Sequence, residues 1–124
     1  MKAFVSYSRR DNSLGRLLSI ESQIGSVTEL YIDDLHFPRG VDRHTSVLRA
    51  LMEAESFIAV LSSNYLHTPW TLFEARQACV RGIPVFAFSE SGELFKTRYE
   101  DLSTCCKNRV LGLPHAGPVY EAIA

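Results

Sequence analysis

Two side chains near the middle of the chain have types and a spacing that suit chemistry on a ligand. Trp70 and Glu74 are four residues apart, a spacing that puts both on one face of a helix. A carboxylate beside an aromatic wall can stabilise a positive centre that develops in a bound molecule. A lone Glu is most often an exposed helix residue, so the interpretation depends on where the fold puts Glu74.

Two other polar clusters follow apolar segments. Ser8, Arg9 and Arg10 follow the first such segment, and Asp33 and Asp34 follow the second. Guanidinium groups suit the oxygens of phosphates, although exposed arginine pairs are commonly only solvated, and acidic pairs often only organise a turn. These clusters form one site only if the fold brings the ends of their strands together.

The chain alternates five times between strand and helix patterns. Strands are predicted over residues 3–7, 27–32, 57–61, 83–89 and 110–113, and helices over 14–24, 45–55, 69–81, 93–102 and 118–124. This alternation predicts one α/β domain over residues 1–124, with a flavodoxin-like, doubly wound, five-stranded parallel sheet. Right-handed crossovers favour the strand order 2-1-3-4-5, with helices on both faces.

The third helix of this pattern has the clearest boundaries. Thr68 is a predicted N-cap, Pro69 needs no N–H at the first helical position, and Gly82 ends the helix. Ligands bind such sheets at the carboxyl ends of the strands, here between strands 1 and 3. The helix therefore projects Glu74 into that crevice, with Trp70 beside it.

Composition excludes several classes of function. The chain has 124 residues, a net charge of −1 and 46% hydrophobic residues, so neither nucleic acid nor a membrane is an expected partner. Its three cysteines, Cys79, Cys105 and Cys106, have no metal-site spacing and suit reduced thiols in the cytoplasm. No metal is expected.

Other ligands of flavodoxin-like folds fit poorly. A phosphoryl-accepting receiver domain needs an Asp at the end of strand 3, where Ser62 and Ser63 stand instead. An FMN site needs a Gly-containing phosphate loop after strand 1, and residues 8–13 contain no Gly. A Rossmann fingerprint is absent.

The order of short motifs resembles the TIR (Toll/interleukin-1 receptor) domain family over nearly the whole chain. Phe4–Ser8 and Asp11 resemble its first box, Tyr31–Asp34 with Pro38 and Gly40 resembles its BB loop, and Ser63–Glu74 is the most specific match. Pro69 departs from the Cys or Ser that often precedes the family's Trp. Tyr65 within this stretch is interpreted as structural.

The resemblance implies a function. The enzymatic, bacterial-type branch cleaves NAD at the nicotinamide–ribose bond, and its catalytic Glu corresponds to Glu74. NAD is then a substrate, and no cofactor is expected. A domain of this kind resembles the signal-producing member of a bacterial immune system, in which TIR domains self-associate and the nucleotide product activates a separate effector.

Further site residues are expected around this carboxylate. Tyr7 or Phe37 would form a wall for nicotinamide or adenine beside Trp70. The ribose and pyrophosphate oxygens would contact Ser8, Arg9 and Arg10, and Asp33 or Asp34 would bind a ribose or adenine group.

Two other functions remain open. One is a non-catalytic TIR module that binds other TIR domains through its loop and helix faces. The other is an enzyme similar to nucleoside deoxyribosyltransferases, which have the same type of fold and use a carboxylate at an N-glycosidic bond. Retention of both Trp70 and Glu74 disfavours the first, and the arginine pair mildly disfavours the second.

Overall fold

The computed structural model describes residues 2–37 and 40–102 of the chain. Within them, five strands form one sheet in the predicted order. The strands are β1 (Lys2–Ser6), β2 (Glu29–Ile32), β3 (Ser56–Val60), β4 (Val85–Phe88) and β5 (Leu94–Thr97). β1 pairs in parallel with β2 and β3, and β3 pairs in parallel with β4. The predicted flavodoxin-like α/β fold is therefore confirmed.

The fifth strand differs from the prediction in both place and direction. A helix is expected over 93–102, but Leu94–Thr97 is a strand that runs antiparallel to β4. The predicted parallel strand over 110–113, the final helix over 118–124 and the Cys105–Cys106 pair lie outside the described residues. The prediction of a fully parallel sheet is therefore wrong at this edge.

A short hairpin accounts for the antiparallel edge strand. Gly92 adopts a φ of +90°, and its N–H donates to the Ser89 carbonyl oxygen at 3.0 Å. Leu94 and Phe95 are both buried, so pairing with β4 removes their apolar surfaces from water. Polar residues around them suggested a weak helix, but burial and strand pairing decide the structure.

Four helices accompany the sheet, and within the described residues none is long and apolar enough to cross a membrane. The helices are α1 (Leu14–Ile24), α2 (Asp33–His36), α3 (Arg43–Glu53) and α4 (Pro69–Arg81). Ser13 caps α1 by accepting the Arg16 N–H at 3.2 Å. Asp42 caps α3 by accepting the Thr45 N–H at 3.0 Å.

The helix α4 begins and ends where the sequence predicts. Pro69 is in its first turn, and Gly82 ends it in the left-handed conformation with a φ of +70°. Thr68 occupies the predicted N-cap position, but its side chain makes no capping hydrogen bond. Its hydroxyl donates instead to the Asn64 carbonyl oxygen at 2.7 Å, which ties the helix start to the preceding turn.

Helices cover both faces of the sheet. Leu17 and Ile20 of α1 pack on one face, and Leu51 of α3 and Ala78 of α4 pack on the other. Every residue of β3 is buried, as expected for a strand covered on both sides. Met52, on the outer side of α3, is 62% exposed.

Candidate active site

A cavity of about 590 Å³ opens at the carboxyl edge of the sheet, beside β1 and the first turns of α3 and α4. This is the switch point where α/β folds bind ligands. Its lining comprises Phe4, Val5, Tyr7, Ser8, Arg9, Arg10, Asp33, Asp42, Arg43, His44, Val47, Thr68, Trp70, Thr71 and Glu74. Seven of the nine predicted site residues are in this set.

Glu74 is the buried carboxyl group of the cavity, with 5% of its surface exposed. Burial raises the pKa of Glu74 to about 8, and the negative charge of Asp33 adds to this effect. A hydrogen bond from the Ser6 hydroxyl, 2.8 Å from Oε1, opposes the shift, as does one from the Trp70 side chain. Burial thus favours the protonated form of the Glu74 carboxyl group at neutral pH.

Trp70 stands at the mouth of the cavity with 37% of its surface exposed. Its ring lies 5.0 Å from that of His44 on α3 and 5.1 Å from that of Phe73, measured between centroids. The indole therefore has one edge on the Glu74 carboxyl group and the rest in a small aromatic cluster. Trp70 therefore both packs against neighbouring rings and forms part of the cavity wall.

Four charged side chains form a closed cluster at the cavity rim. Arg9 donates to Asp33 at 3.1 Å and to Asp34 at 2.9 Å. Arg43 donates to Asp33 through Nε at 2.6 Å and also forms a short bond to Asp34. Burial raises the pKa of Asp33, although the Tyr31 hydroxyl and the charge of Arg9 lower it. Each acidic group therefore has two guanidinium partners.

Tyr7 connects this cluster to the sheet. Its hydroxyl donates to Asp34 Oδ2 at 2.7 Å and accepts the Asp34 N–H at 2.9 Å. Burial, followed by the hydrogen bond to Asp34, raises the pKa of the Tyr7 phenol. The ring lines the cavity while the hydroxyl is engaged behind it, so Tyr7 offers a ligand mainly its apolar face.

Ser8 and Arg10 occupy different depths of the same loop. Ser8 is fully buried, its carbonyl oxygen accepts the Asn12 side chain at 2.8 Å, and its hydroxyl lies 3.4 Å from the Thr68 hydroxyl. Arg10 is exposed at the rim. Ser8 therefore shapes the loop, and Arg10 is the more accessible of the two to a ligand.

Two predicted residues do not line the cavity formed by the described part of the chain. Asp34 stands behind Asp33 on the Tyr7 hydroxyl. Phe37 lies beneath the Arg43 guanidinium, 5.6 Å from its ring centroid. Pro38 of the predicted BB loop is outside the described residues, whereas Gly40 is described and has a φ of +76°. Phe37 thus supports an arginine of the site in this structure instead of contacting the cavity.

Sequence interpretation missed several residues at this site, among them Ser6, Arg43 and His44. Ser6 is a polar residue at the end of a buried strand, and such a group needs a hydrogen-bond partner. Arg43 and His44 follow Asp42, a good N-cap type, so an earlier helix start would have put them at the strand edge. A prediction that starts the helix at Thr45 leaves both in a loop.

A larger cavity of about 680 Å³ lies beside the edge strand β2. Its acidic lining residues, Glu21, Glu29 and Glu53, are partly or fully exposed. Among the described residues that line it there is therefore no buried carboxyl group, and such a group is what distinguishes the cavity around Glu74. Among the described residues, no cluster of three or more His, Cys, Asp or Glu side chains could hold a metal ion.

The fold and the cavity define a flavodoxin-like α/β protein with a ligand-sized site at its switch point. The TIR domain family model matches residues 3–103, a span that includes every residue of the cavity. The chain therefore belongs to the TIR domain family. No curated protein matches the chain.

Proposed function

We propose that this TIR domain breaks the nicotinamide–ribose bond of NAD, as the enzymatic bacterial-type branch of the family does. The main support is the carboxyl group of Glu74, which is buried in an open cavity and holds hydrogen bonds from Ser6 and Trp70. Burying a carboxyl group costs free energy. A surface that only binds another protein has no need for that cost.

The reaction needs only one carboxylate because the nicotinamide ring of NAD is already cationic. When the bond breaks, its electron pair goes to the ring nitrogen and nicotinamide leaves as a neutral molecule. Positive charge then develops on the ribosyl carbon, where Glu74 would stabilise it. Water completes a hydrolysis and releases a proton, whereas attack by the adenine ring of the same molecule completes a cyclisation.

The high pKa of Glu74 is compatible with this role. A cationic ring beside Glu74 favours the ionised carboxylate, because an opposite charge lowers a carboxyl pKa. Binding of NAD would therefore release the proton that burial holds on Glu74. In the free enzyme the acidic form predominates at neutral pH, so we expect kcat/KM to rise as the pH passes through about 8.

The charged cluster at the rim suits the pyrophosphate of the same substrate. Arg9 and Arg43 each hold two carboxylates, and a pyrophosphate offers similar oxygens to guanidinium groups. If the guanidinium groups bound the phosphate in place of Asp33, the Asp33 carboxylate would be free to accept a hydrogen bond from a ribose hydroxyl. Arg10 would add a third positive charge at the rim, and Tyr7 and Trp70 would form the walls around the base.

The product and its use extend the proposal. Hydrolysis gives ADP-ribose, cyclisation gives a cyclic isomer, and transfer to another acceptor is a third outcome. The product would serve as a nucleotide signal to a separate effector in bacterial immunity, within the cytoplasm. Self-association of TIR domains would complete the site.

The decisive experiment is incubation of the purified chain with NAD at high protein concentration. Chromatography and mass spectrometry would follow nicotinamide and the second product, from about pH 6 to about pH 9. We expect Glu74→Gln to lower nicotinamide release at least about a hundredfold. Glu53→Gln is the matched control, because this exposed glutamate on α3 is outside the cavity and should retain activity.

Substrates without a pyrophosphate separate the competing enzyme class. Cleavage of simple nucleosides at rates equal to those for NAD would favour the deoxyribosyltransferase-like function. If the wild-type chain at high concentration cleaves neither substrate, the proposed enzymatic function is contradicted. The non-catalytic interaction module is then the function that the site supports.

One observation favours that module as a second function. Leu72, Phe73 and Val80 on α4 are 36%, 37% and 76% exposed, and exposed apolar groups on one helix suit a protein contact. Sedimentation of the chain over a range of concentrations would test homotypic association. Val80→Ser should weaken it if α4 forms the contact, while Glu74→Gln should leave it unchanged.

A further inference from the structure

A chain of hydrogen bonds runs from a buried tyrosine to Glu74. The Tyr65 hydroxyl donates to Ser6 Oγ at 2.9 Å, and the Ser6 hydroxyl donates to Glu74 Oε1 at 2.8 Å. Tyr65 is 0% exposed, Ser6 1% and Glu74 5%. The three residues belong to a 3₁₀ turn after β3, the end of β1 and the helix α4, so only the folded chain brings them together.

The direction of the chain depends on the ionisation of Glu74. A serine hydroxyl has one proton, and an ionised Glu74 takes that proton as an acceptor. Ser6 then has only lone pairs to offer to Tyr65, whose hydroxyl must donate. A protonated Glu74 removes this requirement, because its own O–H can donate. Because a hydrogen bond to a charged acceptor is stronger than one to a neutral acceptor, the chain stabilises the carboxylate form of Glu74 more than the protonated form.

We propose that Tyr65 is a positioning residue that acts through Ser6 to fix the orientation of the Glu74 carboxyl group and to favour its ionised form. The catalytic meaning of this role rests on the proposed NAD cleavage. The effect of Tyr65 on the orientation and ionisation of the Glu74 carboxyl group does not depend on that proposed activity. Because hydrogen bonds strengthen one another in a buried chain, the Tyr65 hydroxyl would make Ser6 a better donor to Glu74.

The backbone around Tyr65 is fixed without the help of its hydroxyl. Its N–H donates to the Ser62 carbonyl oxygen at 3.2 Å. Its carbonyl oxygen accepts a short hydrogen bond from the Thr71 hydroxyl. Tyr65→Phe should therefore keep the turn and the packing of the ring. The substitution removes the hydroxyl that donates to Ser6 and leaves the Ser6–Glu74 hydrogen bond in place.

Several other titratable and charged groups lie around Glu74. The β1–α1 loop contributes Arg9 and Arg10 to the cavity lining, and α2 contributes Asp33, whose charge acts on Glu74. Tyr31 of β2 is outside this lining but interacts electrostatically with Glu74. The start of α3 contributes Asp42, Arg43 and His44. All of them remain in the variants proposed below, so a difference between variants reports on the hydroxyl chain.

The test is a carbon-13 NMR titration of the glutamate carboxyl groups, with the Glu74 signal assigned from Glu74→Gln. We expect Tyr65→Phe to raise the apparent pKa of Glu74 by about half a unit or more, and Ser6→Ala to raise it further. In the double variant, the change Tyr65→Phe should add nothing to Ser6→Ala. Tyr99→Phe, a partly buried tyrosine on the same side of the sheet, is the control and should change nothing.

A second measurement keeps the proposal testable if Tyr65→Phe fails to fold. In the wild-type chain, the phenolic carbon of Tyr65 should shift with the same midpoint as Glu74, and this shift should vanish in Ser6→Ala. A Tyr65 signal that ignores the titration of Glu74 overturns the proposal. So does a folded Tyr65→Phe protein in which Glu74 titrates as in the wild type.

Activity separates this proposal from the one on which it rests. If the wild-type chain cleaves NAD, the alkaline rise of kcat/KM should move to higher pH in Tyr65→Phe by the shift that NMR measures. If the wild type does not cleave NAD but the pKa of Glu74 is shifted in Tyr65→Phe, the proposed enzymatic function is refuted and the positioning role of Tyr65 stands. Cleavage that depends on Glu74, with an unshifted titration in Tyr65→Phe, would refute the positioning alone.

Discussion

At the scale of single residues, Glu74 has an energetic cost that depends on pH. Its pKa is about 8 in the folded chain against an ordinary 4.5. Between these values the unfolded chain has released the proton that the folded chain keeps, so the free energy of unfolding falls as the pH rises. Below about pH 4.5 the cost is absent, and above about pH 8 it is complete.

The variant Glu74→Gln should remove this dependence, because its amide oxygen still accepts from Ser6 but carries no charge. We expect equal stability near pH 5 and a variant that is more stable near pH 9, by a few kcal/mol at most given about 1.4 kcal/mol per pKa unit. Urea denaturation at the two pH values measures the difference. Equal stability of the two proteins at both pH values would show that the Glu74 carboxyl group is not desolvated.

At the scale of elements, α4 is the helix that positions Trp70 and Glu74, and its end depends on a glycine. Gly82 has a φ of +70°, and side chains other than hydrogen disfavour this conformation by about 1 kcal/mol. Gly82→Ala should therefore lower the free energy of unfolding by about 1 kcal/mol. No atom lies within 4 Å of the added Cβ, so backbone strain alone would account for the loss.

The first turn of α1 provides the matched control. Gly15 is helical, and a Cβ there meets only the Ser13 hydroxyl at 3.9 Å. Gly15→Ala should leave stability unchanged or raise it by up to about 1 kcal/mol. Thermal unfolding of the two alanine variants should thus give changes of opposite sign, and a loss of stability in both would contradict the conformational argument.

At the scale of the whole molecule, Arg81 joins the two helices that cover one face of the sheet. From the last turn of α4 its Nη1 donates to the carbonyl oxygens of Leu51 at 2.6 Å and Ala54 at 2.9 Å, at the end of α3. These carbonyls have no partner within their own helix. Arg81 therefore fixes the end of α3 relative to the end of α4, and the first turns of the same two helices line the cavity.

The variant Arg81→Leu should lower the free energy of unfolding by about 1–2 kcal/mol, because it leaves these carbonyl oxygens to water and removes a charge-assisted bond. Arg76→Leu, an exposed residue of the same helix, should cost little. Chemical denaturation of both variants measures the difference. A cost that is equal for the two would mean that the Arg81 contacts contribute nothing.

Local sequence patterns were sufficient for much of this molecule. The bounds of α4, the buried β3 and the switch-point position of Trp70 and Glu74 follow from periodicity, from Pro69 and Gly82, and from topology rules that act between neighbouring elements. The order of the strands follows in the same way. The hydrogen-bond partners of the site residues cannot be predicted from local patterns, because hydrogen bonding and burial depend on groups far apart in the chain.

By itself the sequence determined the fold class, the strand order and the carboxylate at the crevice. These features follow from apolar spacing and helix ends, which depend on residues close together in the chain. Only the tertiary structure decided that Leu94–Thr97 pairs with β4 as a strand, that Arg43 joins Asp33, and that Ser6 and Tyr65 meet Glu74. Ser6 is separated from Tyr65 and Glu74 by 59 and 68 residues. Contacts over such separations form only when the whole core packs and removes water from all of these groups at once.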